Sequence, residues 1–218
     1  STRFSLDLPA RTDKVSMLLP LAQDPEAMFK ALPSKLRSQV RRPEKEGATA
    51  ACGGLELLDE FYRVFAENMR DLGTPVYSRQ FFHSILEGFP DAARVFVVRH
   101  GGAPVAGGIV LGHGGTLEIP WASSLRRANS LGVNMLLYWK VLEYACQRGF
   151  ASFDFGRSTL DSGTFKFKKQ WGASPVQLYR RIVIPMLRPA FLSAFVVLAH
   201  LAIKSYDLVI ALTNGGPG

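Results

Sequence analysis

The residues with the clearest chemical potential lie between Phe150 and Gly172, in the run FASFDFGRSTLDSGTFKFKKQWG. Phe153 and Phe155 alternate with Ser152 and Asp154, which reads as a short buried strand. The chain then turns through Gly156-Arg157-Ser158 and a polar loop to Gly163. Beyond it Phe165 and Phe167 alternate with Lys166 and Lys168, followed by Lys169 and Trp171. Period-2 spacing predicts a cationic strand, with rings packed on one side and lysines offered to an anionic ligand on the other. The same pattern also describes a half-buried strand with a solvated lysine face.

A second cationic group sits in AMFKALPSKLRSQVRRPEKEG, a helical pattern split by Pro33. Asp24 is a good N-cap for its first half, with Pro25 tolerated at the first helical position. In its second half Arg37 and Arg41 share a face at i and i+4. They fit a phosphate-binding helix, since guanidinium forks suit phosphate, or a solvated helix that keeps the protein in solution.

The elements that must carry these groups follow from length and patterning. The chain has 218 residues, 47% hydrophobic and 20% charged, enough for a buried core and one or two domains. A net charge of +8 favours an anionic partner without saying which. Cys52 and Cys146 are far apart and read as reduced core thiols. No histidine stands at ligand spacing to another, His83 included, so no metal site is expected.

Residues 3–8 and 14–19 look like short strands. Leu55 to Leu72 has helical spacing and ends at Gly73. SRQFFHSILEGF makes a second helix, capped by Ser78 and burying Phe81, Phe82, Ile85 and Leu86. From Arg94 the period changes to 2, giving three strands joined by Gly-rich turns. Gly107-Gly108 in the middle strand predicts a bulge or a close backbone approach. The helix NMLLYWKVLEYACQRG and strand 151–155 complete an α+β arrangement, a sheet with packed helices.

That order resembles the GNAT acyltransferase fold. The words KLRSQVRRPEKEG, FYRVFAENMRDLGTPVYSRQFF, LEIPWASSLR, NMLLYW and FDFGRSTLDSGTFKFKKQWG resemble the FemAB-related acyltransferases. The branch they look most like is the BioF2-like one associated with PEP-CTERM/exosortase exopolysaccharide systems. The resemblance spans about 1–179. It implies that 1–22 end a truncated first GNAT-like half and that 23–179 form a second half, so the chain is expected to start inside a longer protein.

The implied chemistry is transfer of an aminoacyl or acyl group to an amine of an anionic cell-envelope or glycan precursor. The amine must lose a proton while a carbonyl oxygen takes up negative charge. The resemblance names aminoacyl-tRNA or acyl-CoA as donor and makes tRNA a partner. Acetyl-CoA enzymes of the fold carry an Arg/Gln-x-x-Gly-x-Gly/Ala turn. The corresponding stretch here, Arg126 to Asn134, has only Gly132. That favours a different donor, or loss of donor binding.

Within this picture Arg126, Arg127 and Asn134 would approach a phosphate-bearing ligand at the start of the crossover helix. Arg157, Lys166 and Lys168 would line the anionic end of the substrate. Glu118 or Asp154 would assist proton transfer, with a structural hydrogen bond as the other role open to Asp154. Trp121 would pack, or stack on substrate. Replacing Lys166 and Lys168 by alanine is expected to abolish binding without unfolding.

After Tyr179-Arg180-Arg181 the composition changes. Ala190 to Ile203 is an apolar run of 14, between Arg188 and Lys204. Extended to about 188–212 it reaches the ~20 residues of a membrane span. The stretch 180–218 resembles a carbohydrate ABC transporter permease, from the end of its ATPase-docking loop through one membrane helix. With most of that loop missing, neither transport nor an ATPase partner is expected. The arginines before the run would hold the preceding domain on the cytoplasmic side of the inner membrane. The abrupt join suggests a chimeric reading frame. A transport component, and a binding module for an anionic glycan or nucleic acid, are the competing readings.

Overall fold

The computed structural model describes residues 14–176. The chain divides into two compact units, Ser1–Pro175 and Val176–Gly218, and the description concerns the first. Strand β1 is Lys14–Pro20; helices α1 and α2 are Pro25–Ala31 and Ser34–Lys45. Strand β2 is Thr49–Gly53, and helices α3 and α4 are Leu58–Asp71 and Arg79–Gly88. Strands β3, β4 and β5 are Ala93–His100, Ala103–His113 and Thr116–Ser124. Helix α5 is Val133–Gln147, β6 is Ser152–Thr159, α6 is Gly163–Gln170 and β7 is Ser174–Val176.

Together the strands form one mixed sheet in the order β2-β3-β4-β5-β6-β1-β7. The α+β arrangement of sheet and packed helices is the one the pattern implied. The three-stranded meander is antiparallel, and β6 returns through α5 to lie parallel to β5. Asp24 caps α1 by accepting from Glu26 N and Ala27 N, and Ser78 caps α4 by accepting from Phe81 N.

Each face of the sheet has its own core. Leu136, Leu137, Val141 and Leu142 of α5 pack with Phe153 and Phe155 of β6, and Leu36 and Val40 of α2 close over them. On the other face Leu58, Phe61 and Phe65 of α3 and Phe82 of α4 meet Val95, Val97 and Ile109. Gly107 is what lets α3 lie so close. A Cβ there would sit 3.1 Å from Phe96 O and 3.3 Å from Phe61 Cδ2.

Four expectations are corrected. Phe165–Gln170 belongs to a helix, α6, and not to a strand. Ser162 Oγ accepts from Phe165 N at 3.2 Å and so starts a helix. Phe165, Lys168 and Trp171 then fall three apart on one face, and all three are buried. Two periods fitted the sequence FKFKK, and the cap decided between them. The strand before it runs through Gly156-Arg157-Ser158 to Thr159 instead of turning there.

Edge strand β2 escaped notice because TAACG has no apolar alternation. It leaves Cys52 exposed, while Cys146 is buried as expected. Phe81 is exposed, since α4 turns only Phe82 and Leu86 fully inward. The proposed strand 3–8 and the segment 180–218 lie outside the described residues. Among the described residues no helix is long and apolar enough to cross a membrane.

Candidate active site where two strands part

Strands β5 and β6 pair only at Thr116, Leu117 and Glu118 against Ser152, Phe153 and Asp154. Beyond these pairs β5 follows β4 and β6 follows β1. Each strand has a local reason to leave. Between Glu118 and Trp121, β5 takes three steps while β4 takes two, from Leu111 to Ile109. Pro120 stands in this bulge and has no N–H to give. Between Asp154 and Arg157, β6 takes three steps while β1 takes two, from Leu18 to Ser16. Gly156 stands here with φ +74°, a conformation that suits glycine. The parted strands open toward their C-terminal ends, where α5 begins, the usual place for a ligand in sheets with a parallel crossover.

Glu118 and Asp154 form the last pair before the split. Both point to the α3/α4 face, since Glu118 stands opposite Leu111, which packs against that core. Asp154 is held firmly. It accepts from Ser16 Oγ at 3.2 Å and from Gly156 N at 2.7 Å. Glu118 has solvent on one side. Partial burial, then the negative charge of Asp154, raise its pKa above the usual carboxylate range, against a smaller opposing effect of His113. One carboxylate is thus anchored and its neighbour is primed to take up a proton.

Lys168 reaches in from α6. It is buried, and its Nζ donates to Gly156 O at 3.0 Å and Arg157 O at 2.9 Å. Burial lowers its pKa, partly offset by the charge of Asp154. An ammonium has three N–H groups, so one remains after these bonds. Lys168 also ties down the bulged part of β6. Losing it would leave two carbonyls unpaired at about 1–3 kcal/mol. The expectation that its alanine variant leaves folding untouched is therefore revised.

Among the other predicted site residues, Trp121 lies on the same face, one bulge beyond Glu118. Its ring meets Phe82, Phe81 and Tyr77 edge-on at 5.3, 5.7 and 6.4 Å. It packs, while Tyr77 and Phe81 keep exposed rings beside it. Arg157 and Lys166 are exposed. Arg126 donates to Asp71 O at 3.0 Å, and Arg127 is ion-paired with Glu67. Both thus bind the end of α3. Asn134 lies in the first turn of α5, after Gly132 at φ +76°.

Arg37 and Arg41 are not part of this group. They line a separate cleft with α1 and α5. Ser16 and the Gly156 amide were missed. The polar residue between Val15 and Met17 was the available signal for Ser16. Among the described residues no group of three His, Cys, Asp or Glu side chains could hold a metal ion.

Comparison with known proteins supplies the family. Residues 34–169 match the acetyltransferase (GNAT) domain. Over 162 residues the chain is 24% identical to the UDP-N-acetylmuramoylpentapeptide-lysine N(6)-alanyltransferase of Weissella viridescens, covering 71% of this chain and 48% of that enzyme. A stretch of 47 residues is 57% identical to a probable ABC transporter permease protein of Pyrococcus horikoshii, covering 22% of this chain and 16% of the permease. The chain thus spans half or less of the curated relatives it matches. Among solved structures, FemX superposes with a TM-score of 0.66 at 15% identity, over 74% of this chain and 59% of that one. The FemX likeness is one of fold, and the match over 34–169 settles membership: the chain belongs to the acetyltransferase (GNAT) domain family.

Proposed function

We propose that this domain transfers an acyl group, in the manner of an aminoacyltransferase, to a primary amine held where β5 and β6 part. The observation that carries this reading is the pairing of Glu118 with an anchored Asp154 at the apex of the split, with Lys168 beside it. The amine nitrogen attacks the donor carbonyl carbon. Glu118 takes the proton that the nitrogen sheds, and the Lys168 ammonium at the bulge of β6 would stabilise the carbonyl oxygen as it becomes negative. The acyl–oxygen or acyl–sulfur bond then breaks, and Glu118 returns the proton to the departing group. Asp154 positions the site by fixing Gly156 and Ser16.

Likeness to an alanyltransferase whose acceptor is a lysine amine supports an amine on an anionic cell-envelope or exopolysaccharide precursor. The single glycine at Gly132 favours a donor other than acetyl-CoA, with aminoacyl-tRNA the first to try. Arg157, Lys166 and Asn134 would meet its phosphates. The 47-residue permease-like match supports reading a segment of this chain, taken from its composition as about 180–218, as one of separate origin. Amplification across codons 175–185 from source DNA tests that join. The transfer itself is tested by following label from alanyl-tRNA into the lysine amine of a UDP-linked pentapeptide. Transfer that is lost in Glu118→Gln supports the proposal. Transfer unaffected by that change removes Glu118 from it.

A further inference from the structure

Across the sheet from the parted strands, α1, α2 and α5 enclose an open cleft of about 400 Å³, within the usual size range of small-molecule sites. Its acids are already committed. Glu26 pairs with Lys30 at 3.4 Å, and Glu44 and Glu143 both pair with Lys140, at 3.3 and 3.1 Å. Arg37 and Arg41 line the same cleft one helical turn apart, and among the described residues neither has a carboxylate partner. Arg41 is also pre-oriented, with Cζ lying 4.9 Å from the centroid of Phe29. Phe29 in turn packs on Trp139 with centroids 4.7 Å apart. Among the described residues the lysines of this cleft have their counter-ions and the two guanidiniums do not.

We propose that this cleft is a second ligand site, which binds the phosphate group of a small phosphorylated molecule through Arg37 and Arg41. Two planar forks one turn apart match a doubly charged tetrahedral anion better than a single carboxylate. Val40 and the ring of Phe29 line the apolar remainder and suit the carbon portion of the ligand. The site is independent of the transfer reaction, because the sheet and α5 stand between them.

The test is calorimetric titration of the whole chain with pyrophosphate, alongside citrate and a short single-stranded oligoribonucleotide. Pyrophosphate is expected to bind, and Arg37→Gln or Arg41→Gln to weaken it about 10-fold or more, the usual loss for a charge-assisted hydrogen bond. Arg148→Gln, which removes an exposed charge at the end of α5, should leave binding unchanged. Circular dichroism on each variant confirms the fold. No heat with pyrophosphate would overturn the proposal. So would equal weakening by Arg148→Gln, or citrate binding as tight as pyrophosphate. Tight binding of the oligoribonucleotide with none of pyrophosphate would mark a nucleic-acid surface instead.

Discussion

Strands β4 and β5 run side by side from Ala106–Ser124 to His113–Thr116, while β5 and β6 stay together for only three residues. The β4–β5 pair contains a bulge and stays closed, whereas β5 and β6, each bulged against its other neighbour, part. The difference lies in the far neighbours. A bulge in β5 alone is absorbed, because β4 still satisfies its backbone. Where β5 bulges at Pro120 and β6 bulges at Gly156, the two strands curve toward different partners, and no backbone group between them is compelled to pair. The closed pair is a packing device, whose small residues let layers approach. The open pair carries the polar side chains. This is how one sheet supplies both rigidity and a site.

The two regions should fail in different ways. The largest effect is expected from Glu118→Gln, which keeps shape and removes the base. Acyl transfer should fall about 10²-fold or more while the thermal midpoint stays near that of the parent. Next, Lys168→Met should cost about 1–3 kcal/mol of stability in denaturant unfolding, by leaving Gly156 O and Arg157 O unpaired, and should lower kcat as well. In the closed pair Gly108→Val should cost a similar ~1–3 kcal/mol, since even a Cβ would stand 2.9 Å from Ile119 Cδ1 and 3.1 Å from Trp121 O. There the loss should be one of stability, with kcat per folded molecule kept.

Gly156→Ala separates strain from packing. Open space surrounds its Cβ position, so only the φ of +74° resists, at about 1–2 kcal/mol. The smallest effect belongs to Arg127→Ala. Its exposed pair with Glu67 should be worth under about 1 kcal/mol, and transfer should survive if the arginine serves α3 alone.

Much of this frame could be read in the sequence. The meander, the crossover helix, both helix caps and the close approach at Gly107-Gly108 follow from period and turn chemistry. Glu118 and Asp154 could be nominated, because each is an acid inside an apolar strand. Their strands could be read as adjacent, but their pairing at one position could not, since it depends on a parallel register that no local signal encodes. The helix at 163–170 was misread because Phe-Lys-Phe-Lys satisfies a period of two, and only the Ser162 cap and a shared Phe165–Lys168–Trp171 face favour 3.6. That error hid the role of Lys168, which sits inside the fold instead of on a solvated strand face. Arg126 and Arg127 were nominated for phosphate, but Arg126 reaches the backbone of α3 and Arg127 an acid on it, and neither contact can be foreseen from spacing.

The sign of the Glu118 shift makes the account testable by pH. A carboxyl whose folded pKa lies above its unfolded value is favoured protonated in the fold. Its contribution to stability is complete below the unfolded pKa and is lost as pH rises through the raised folded value. Transfer requires the opposite form, so activity should climb over that same interval. The direct measurement is kcat/KM for transfer from alanyl-tRNA to the lysine amine, recorded against pH for the parent and for Glu118→Gln. An acidic limb lying above the ordinary glutamate range, present in the parent and absent in the variant, is the predicted result. An identical limb in both proteins, at undiminished rate, would contradict a proton transfer at the parted strands.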